Sequence, residues 1–351
     1  MDRIERIRER VSEKRFKAFL VSNIINIRYL TGFRGSSALL LITKKDAFFF
    51  TDFRYREQAV REVRGCEIIV PAGALLLRIK KTLKSLRKSS LAFEFTAPYS
   101  LYHDLKRSFA LRAVKEMVES LRLKKEKEEV RLIKKAVKRA EEAFVEIRPV
   151  IKKGVTEREI SLRLEESLRR RGCQRIPFDI IVASGENAAL PHASVSDRRL
   201  KAGDLVVIDW GGEAGGYFSD MTRTLLIKGS GIEGKLKMYN TVLKANRSAI
   251  RTAVAGVRAR EVDSAARDLI KGAGFGDFFG HGTGHGVGLD IHESPRISLI
   301  SRDILGQGMV FTIEPGIYVP GVGGVRIEDM VYIGEKGSRV LTRLPKRLEI
   351  I

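Results

Sequence analysis

Apolar and polar positions change their rhythm along the chain, and the changes mark out elements. ALLLIT (38–43), the turn residues Lys44-Lys45-Asp46 and AFFFT (47–51) predict a β-hairpin. CEIIV (66–70) and SLAFEF (90–95) predict further strands, separated by the amphipathic helical stretch LLLRIKKTLKSLRK (75–88). Residues 1–118 therefore read as a small α/β layer domain. From about Ser120 to Val150, apolar Val130, Ile133, Val137, Ala140, Phe144 and Ile147 recur at three- and four-residue steps, with Lys, Arg and Glu between them. This predicts one long linking helix with a solvated outer face, opening a second domain over 119–351.

The second region is built differently, since 28 of the 32 glycines follow residue 150. It also repeats itself. GVTEREISLRLEESLRRRG (154–172) is echoed by GVRAREVDSAARDLIKGAG (256–274), and LKAGDLVVID (200–209) by LGQGMVFTIE (305–314), at offsets of 102 and 105. Near-equal offsets predict two similar halves related by a pseudo-twofold axis. Thr156 with Glu159 has the spacing of a capping box, which predicts a helix start there.

Composition narrows the class without naming a substrate. No apolar run reaches the roughly 18 residues of a membrane-spanning helix, and the charged N-terminus lacks the apolar core of a secretory signal. Cys66 and Cys173 stand far apart with no CxxC pattern, which fits a reducing cytoplasm and excludes a disulfide framework or zinc knuckle. The net charge of +22 would suit a phosphate-rich partner. However, 43 acidic residues accompany the 65 basic ones, and no aromatics interleave with them to stack bases. The charge is read as a densely charged surface, not a nucleic-acid site.

The chemistry lies in the repeat. Each half carries a strand, a glycine-rich bend and a second strand, with acids flanking the bend. These are Asp209 (VVIDWGG) and Asp220 (GYFSDMTRT), then Glu314 (FTIEPG) and Glu328 (GGVRIED). A carboxylate closing an apolar strand is costly to bury unless paired or metal-bound. Four brought together would repel unless divalent cations neutralise them. HGTGHGVGLDIHE adds His281, His285 and His292 between the two acid pairs. Oxygen ligands with one imidazole suit Mn²⁺, Co²⁺, Fe²⁺ or Zn²⁺. For His281, bracing the loop and facing the site remain equal readings. His103 reads as a surface residue, and Trp210 as core packing with pocket lining as the alternative.

At these residues the chain resembles the creatinase/aminopeptidase family of pita-bread metallopeptidases, in its proline-specific branch of Xaa-Pro aminopeptidases and prolidases. NIRYLTGFRGSSALLLIT and TDFRYREQA are similar to the family's N-terminal domain. FDIIVASGENAALPHA, VIDWGG, SDMTRT, HGTGHGVGLDIHE, FTIEPGIYVP and GGVRIED follow its catalytic order and spacing. The resemblance implies an α+β chain, with a pseudo-twofold pita-bread catalytic domain after a smaller creatinase-like α/β domain. It implies two divalent metal ions. Asp209 would hold one, His285 and Glu314 the other, and Asp220 and Glu328 would bridge both. Cations roughly 3.5–4 Å apart can share a water as hydroxide, the implied nucleophile. Glu314 would act as base, His192 and His292 would face the substrate, and Arg326 would orient the carboxylates. Arg296 is a weaker candidate for a substrate carboxylate. The implied substrate is a dipeptide or longer peptide with proline second, and the implied assembly a homodimer. The alternatives are methionine-aminopeptidase-like specificity and a non-catalytic nucleic-acid- or protein-binding relative. Dipeptidase or aminopeptidase action and the native metal stay open.

Overall fold

The hairpin expected in the first region forms. Leu39–Thr43 pairs antiparallel with Ala47–Phe50, Leu39 opposite Phe50 and Ile42 opposite Ala47. In this computed structural model, which describes residues 2–351, the chain divides into two units between Arg122 and Leu123. In the first unit the hairpin belongs to a six-stranded sheet, ordered Glu67–Ile69, Ala47–Phe50, Leu39–Thr43, Ala18–Val21, Ser90–Glu94, Ala110–Val114. The helix Leu75–Ser85 turns Ile79 and Leu83 onto Leu20, Leu41 and Leu91 of the sheet. Its lysines remain outside, as the amphipathic pattern requires.

The continuous helix expected from Ser120 to Val150 does not form. Glu119–Arg122 is a single turn, the long helix is Lys127–Ile147, and a 3₁₀ turn follows over Arg148–Val150. The break has a local cause. The Lys125 N–H leaves the helical path to reach the Gly308 carbonyl at 2.8 Å. The Glu126 N–H is taken by the Glu129 carboxylate at 2.9 Å, closing the new N-terminus. Val130, Ile133, Val137, Ala140, Phe144 and Ile147 are all buried, so the apolar stripe is as expected although its start is not.

The second unit contains the repeat. Helices Lys127–Ile147 and Glu157–Arg170 precede strands Ile181–Ser184, Leu205–Trp210 and Met221–Leu226. Helices Glu233–Thr252 and Ala259–Gly272 precede Gly284–Gly286, Val310–Ile313 and Asp329–Gly334. In each half the middle strand pairs antiparallel with both others. The two echoed segments also pair with each other in the same way twice. Gly154 donates to the Leu200 carbonyl and Leu200 to that of Val155, while Gly256 donates to Leu305 and Leu305 to Val257, all at 2.9 Å. Thr156 and Glu159 form the reciprocal capping box, at 2.9 and 3.1 Å. The later helix has Arg258 at that position and no side-chain cap.

Inside the second half, Val242, Ala245, Ala249, Val262, Ala266 and Ile270 pack on Phe311, Ile313, Val331 and Ile333. Two helices thus cover one face of the sheet and leave its strand ends to carry polar groups. Among the described residues, no helix is long and apolar enough to cross a membrane.

Candidate metal centre

Strand alternation and the two hairpins bring the expected acids together. Asp209 sits near the end of Leu205–Trp210, opposite Thr222, and Asp220 directly precedes Met221–Leu226. In the second half Glu314 follows Val310–Ile313, and Glu328 directly precedes Asp329–Gly334. His285 lies in Gly284–Gly286, alongside the same central strand. Its Nε2 is 3.4 Å from Glu314 Oε1 and 3.6 Å from Asp220 Oδ2. Donor atoms of Asp220, His285 and Glu328 all lie within 4.8 Å of one another. Asp220 and Glu328 are buried, while Asp209, Glu314 and His285 keep partial access from a cavity of about 1090 Å³.

Burial governs the protonation of this cluster. It pushes the Asp220 carboxyl well above the ordinary range, with Asp209 and Glu314 adding to the effect and Arg326 opposing it. Glu328 is raised well above its ordinary value by burial and then by Asp220, Glu314 and Asp209. Burial also raises Glu314, against the pull of His281 and Arg326. For His285 burial acts the other way, favouring the neutral ring. Its Nδ1 lies 3.1 Å from the Gly286 carbonyl, which can only accept. The proton therefore sits on Nδ1, and the Nε2 lone pair faces the acids.

This donor set fits divalent cations. Four carboxylates and one neutral imidazole share a single pocket wall with one guanidinium, Arg326, so protons or metal ions must relieve the remaining repulsion. Asp209 supplies independent evidence, because its Oδ1 is buried and accepts no hydrogen bond. Its Oδ2 is held by Arg326 Nη2 at 2.7 Å. The residues that could hold the ions are thus Asp209, Asp220, His285, Glu314 and Glu328.

Arg326 is buried and directs its guanidinium to four acceptors: Asp209, Thr222 Oγ1 at 3.0 Å, the Pro191 carbonyl at 3.1 Å and Tyr318 OH at 2.9 Å. Thr222 Oγ1 in turn donates to Glu328 Oε2 at 2.8 Å. His281 is tied into the same chain, its Nε2 2.9 Å from Tyr318 OH. It both braces its loop and lines the cavity. His192 and His292 also line the cavity, and the His292 ring lies edge-on to His285 at 4.5 Å between centroids. Arg296 is exposed, pairs across from His285, and is not among the cavity's lining residues. Trp210 is core, stacked on Phe144 at 4.6 Å with its Nε1 donating to the Ala140 carbonyl. His103 keeps 43% of its side chain exposed, as a surface residue should.

Sequence reasoning missed Thr222 and Tyr318. Thr222 was legible, since alternation in SDMTRT puts it on the same strand face as Asp220. Tyr318 had no such signal, because its partners His281 and Arg326 lie on other segments. Two further buried acids also escaped notice. Glu157 accepts from Ser184, Asn187 and Ser196 around the loop that carries His192. Asp263 accepts from Thr283 N–H at 3.0 Å beside the His281 loop.

Known proteins resemble this chain over its whole length. Residues 131–335 match the model of Metallopeptidase family M24, and residues 3–124 that of the Creatinase/Prolidase N-terminal domain. An Xaa-Pro dipeptidase of Pyrococcus horikoshii is 36% identical, over 99% of this chain and 98% of its own. A solved structure of an Xaa-Pro dipeptidase from Bacillus anthracis superposes with a TM-score of 0.96 at 41% identity, covering 99% of both chains. The X-Pro aminopeptidase of Thermotoga maritima gives 0.90 at 36% identity, covering all of both. The expected α+β architecture, a pita-bread catalytic unit after a creatinase-like α/β unit, is borne out.

Proposed function

The chain belongs to metallopeptidase family M24, and on that premise we propose that it hydrolyses the peptide bond preceding proline, at a centre of two divalent cations. Asp209, Asp220, His285, Glu314 and Glu328 hold the ions in this reading. The observation that carries it is the convergence of both acid pairs and the His285 lone pair on one cavity, beside a buried Asp209 oxygen without a partner. The proline preference is supported by relatives of both kinds, a dipeptidase and an aminopeptidase named for Xaa-Pro bonds.

When bound, Mn²⁺, Co²⁺, Zn²⁺ or Fe²⁺ would polarise the scissile carbonyl and lower the pKa of water. The chain's own groups do the rest. Glu314 accepts a proton from the attacking water and returns it to the proline nitrogen as the C–N bond breaks. His192 and His292 donate toward the carbonyl oxygen as it gains negative charge. Arg326 keeps Asp209 aimed into the site and, through Thr222, steadies Glu328. The same reading includes a homodimer in a reducing cytoplasm, where Cys66 and Cys173 stay free thiols.

The experiment is direct. Protein stripped of metal and reloaded with Mn²⁺, Co²⁺ or Zn²⁺ is given Met-Pro, a longer Xaa-Pro peptide and Met-Ala-Ser. Metal-dependent cleavage of the first two supports the proposal, and their ratio sorts dipeptidase from aminopeptidase action. Cleavage of Met-Ala-Ser alone would sink the proline reading. No cleavage, with salt-sensitive DNA binding, would favour a binding role.

A further inference from the structure

Asn246, fully buried on the helix Glu233–Thr252, serves two of the site's acids without touching either. Its Nδ2 donates to the Ile313 carbonyl at 3.1 Å and to the Ile327 carbonyl at 3.2 Å. Those carbonyls belong to the peptide units that lead into Glu314 and Glu328. Lys346 Nζ donates to Asn246 Oδ1 at 2.9 Å and to Asp329 Oδ2 at 2.8 Å. An ammonium only donates and a carbonyl only accepts, so a single amide orientation satisfies every contact.

The opposite edge of each peptide unit is also held. The Glu314 N–H reaches the Thr283 carbonyl at 2.8 Å, and the Glu328 N–H that of Thr222 at 3.1 Å. A peptide unit is planar, so fixing its C=O and its N–H fixes the plane from which the next Cα departs. Pairing between Val310–Ile313 and Asp329–Gly334 ends with Ile313 opposite Asp329. Beyond that point the chain leaves for the hairpin Gly316–Val319/Gly323–Arg326. The helix supplies one amide that bonds both of the carbonyls just before the acids.

We propose that Asn246 is a positioning residue that sets Glu314 and Glu328 relative to each other for cation binding, with Lys346 holding its amide in place. The inference rests on the two-cation reading given above. Without the amide both peptide planes loosen together, and the two acids lose their common geometry.

Calorimetric titration of the metal-free, full-length protein with Mn²⁺ tests this in wild type, N246A, K346M and V242A. Val242 is buried on the same helix, so V242A is a packing control that leaves both carbonyl bonds in place. N246A should weaken Mn²⁺ binding by roughly 10- to 100-fold, the range for lost outer-shell partners of metal ligands. K346M should weaken it less, and V242A should leave it unchanged. At saturating Mn²⁺, N246A should lower kcat with little change in KM. Wild-type affinity in N246A, or equal weakening in V242A, would overturn the proposal. If N246A does not fold, unchanged affinity in K346M overturns it instead. A wild-type protein that binds no Mn²⁺, Co²⁺ or Zn²⁺ would overturn the two-cation reading itself, and this inference with it.

Discussion

Arg326 and Asp209 sit on different halves of the repeat and meet at 2.7 Å, Nη2 donating to Oδ2. The contact leaves Oδ1 of Asp209 as a buried oxygen with nothing to accept. A guanidinium of one half thus bonds an acid of the other at the shared cavity. Arg326→Lys keeps the charge but cannot reach Asp209, Thr222, Pro191 and Tyr318 together. Its kcat should fall by roughly 10- to 100-fold, in the range of lost outer-shell contacts. Near-normal turnover, measured by steady-state hydrolysis of Met-Pro, would show that Arg326 does not orient the site.

Glu314→Gln keeps the side-chain volume and removes the basic oxygen beside His285. Turnover should drop by at least about 10²- to 10⁴-fold, the usual contribution of general acid–base catalysis. Circular dichroism should remain native. A variant with wild-type kcat would exclude Glu314 as the base.

The metal-free protein should show a distinctive pH dependence of stability. Asp220 and Glu328 have folded-state values raised above those of an unfolded chain. Above about pH 4, where unfolded carboxyls ionise, the native state then holds the additional protons. Stability from these groups is complete in acid and is lost as pH rises through the raised values. Thermal melts of chelator-treated wild type and E328Q, compared between pH 5 and 8, check the sign. The wild type should lose Tm relative to E328Q as pH rises; a constant difference would contradict it.

Reloading metal should reverse that loss. A ligand that binds only the folded state at 100 times its Kd adds about 2.7 kcal/mol. Excess Mn²⁺ should therefore raise Tm most near pH 8, where protons compete least with the metal for the carboxylates. A Tm unaffected by Mn²⁺ at that pH would argue against a cation at this site.

Thr156→Ala removes one arm of the reciprocal cap that starts Glu157–Arg170. The expected cost is about 1 kcal/mol of unfolding free energy, read from urea denaturation. Because the following residue, Glu157, holds the loop that carries His192, the same variant reports whether a frayed helix start reaches the cavity. An unchanged urea midpoint would mean the cap adds nothing beyond the pairing of Gly154 and Leu200.

Local pattern determined a great deal of this protein by itself. Alternation and turn residues located the hairpin of Leu39–Thr43 and Ala47–Phe50, and three- and four-residue spacing marked the buried stripe of Lys127–Ile147. The offsets of 102 and 105 held two matched halves, and each half ended a central strand near an acid. Those features are legible because they depend on neighbours a few residues apart, or on a period that recurs. The helix break before Lys127 was not legible, since it depends on the Gly308 carbonyl far along the chain. Nor were the roles of Tyr318 and Asn246. Each joins groups from separate segments, and a hydrogen bond is set by distance and direction in space, not by spacing in sequence. The residues that face the cavity were written in the chain; the contacts that aim them came only with the tertiary structure.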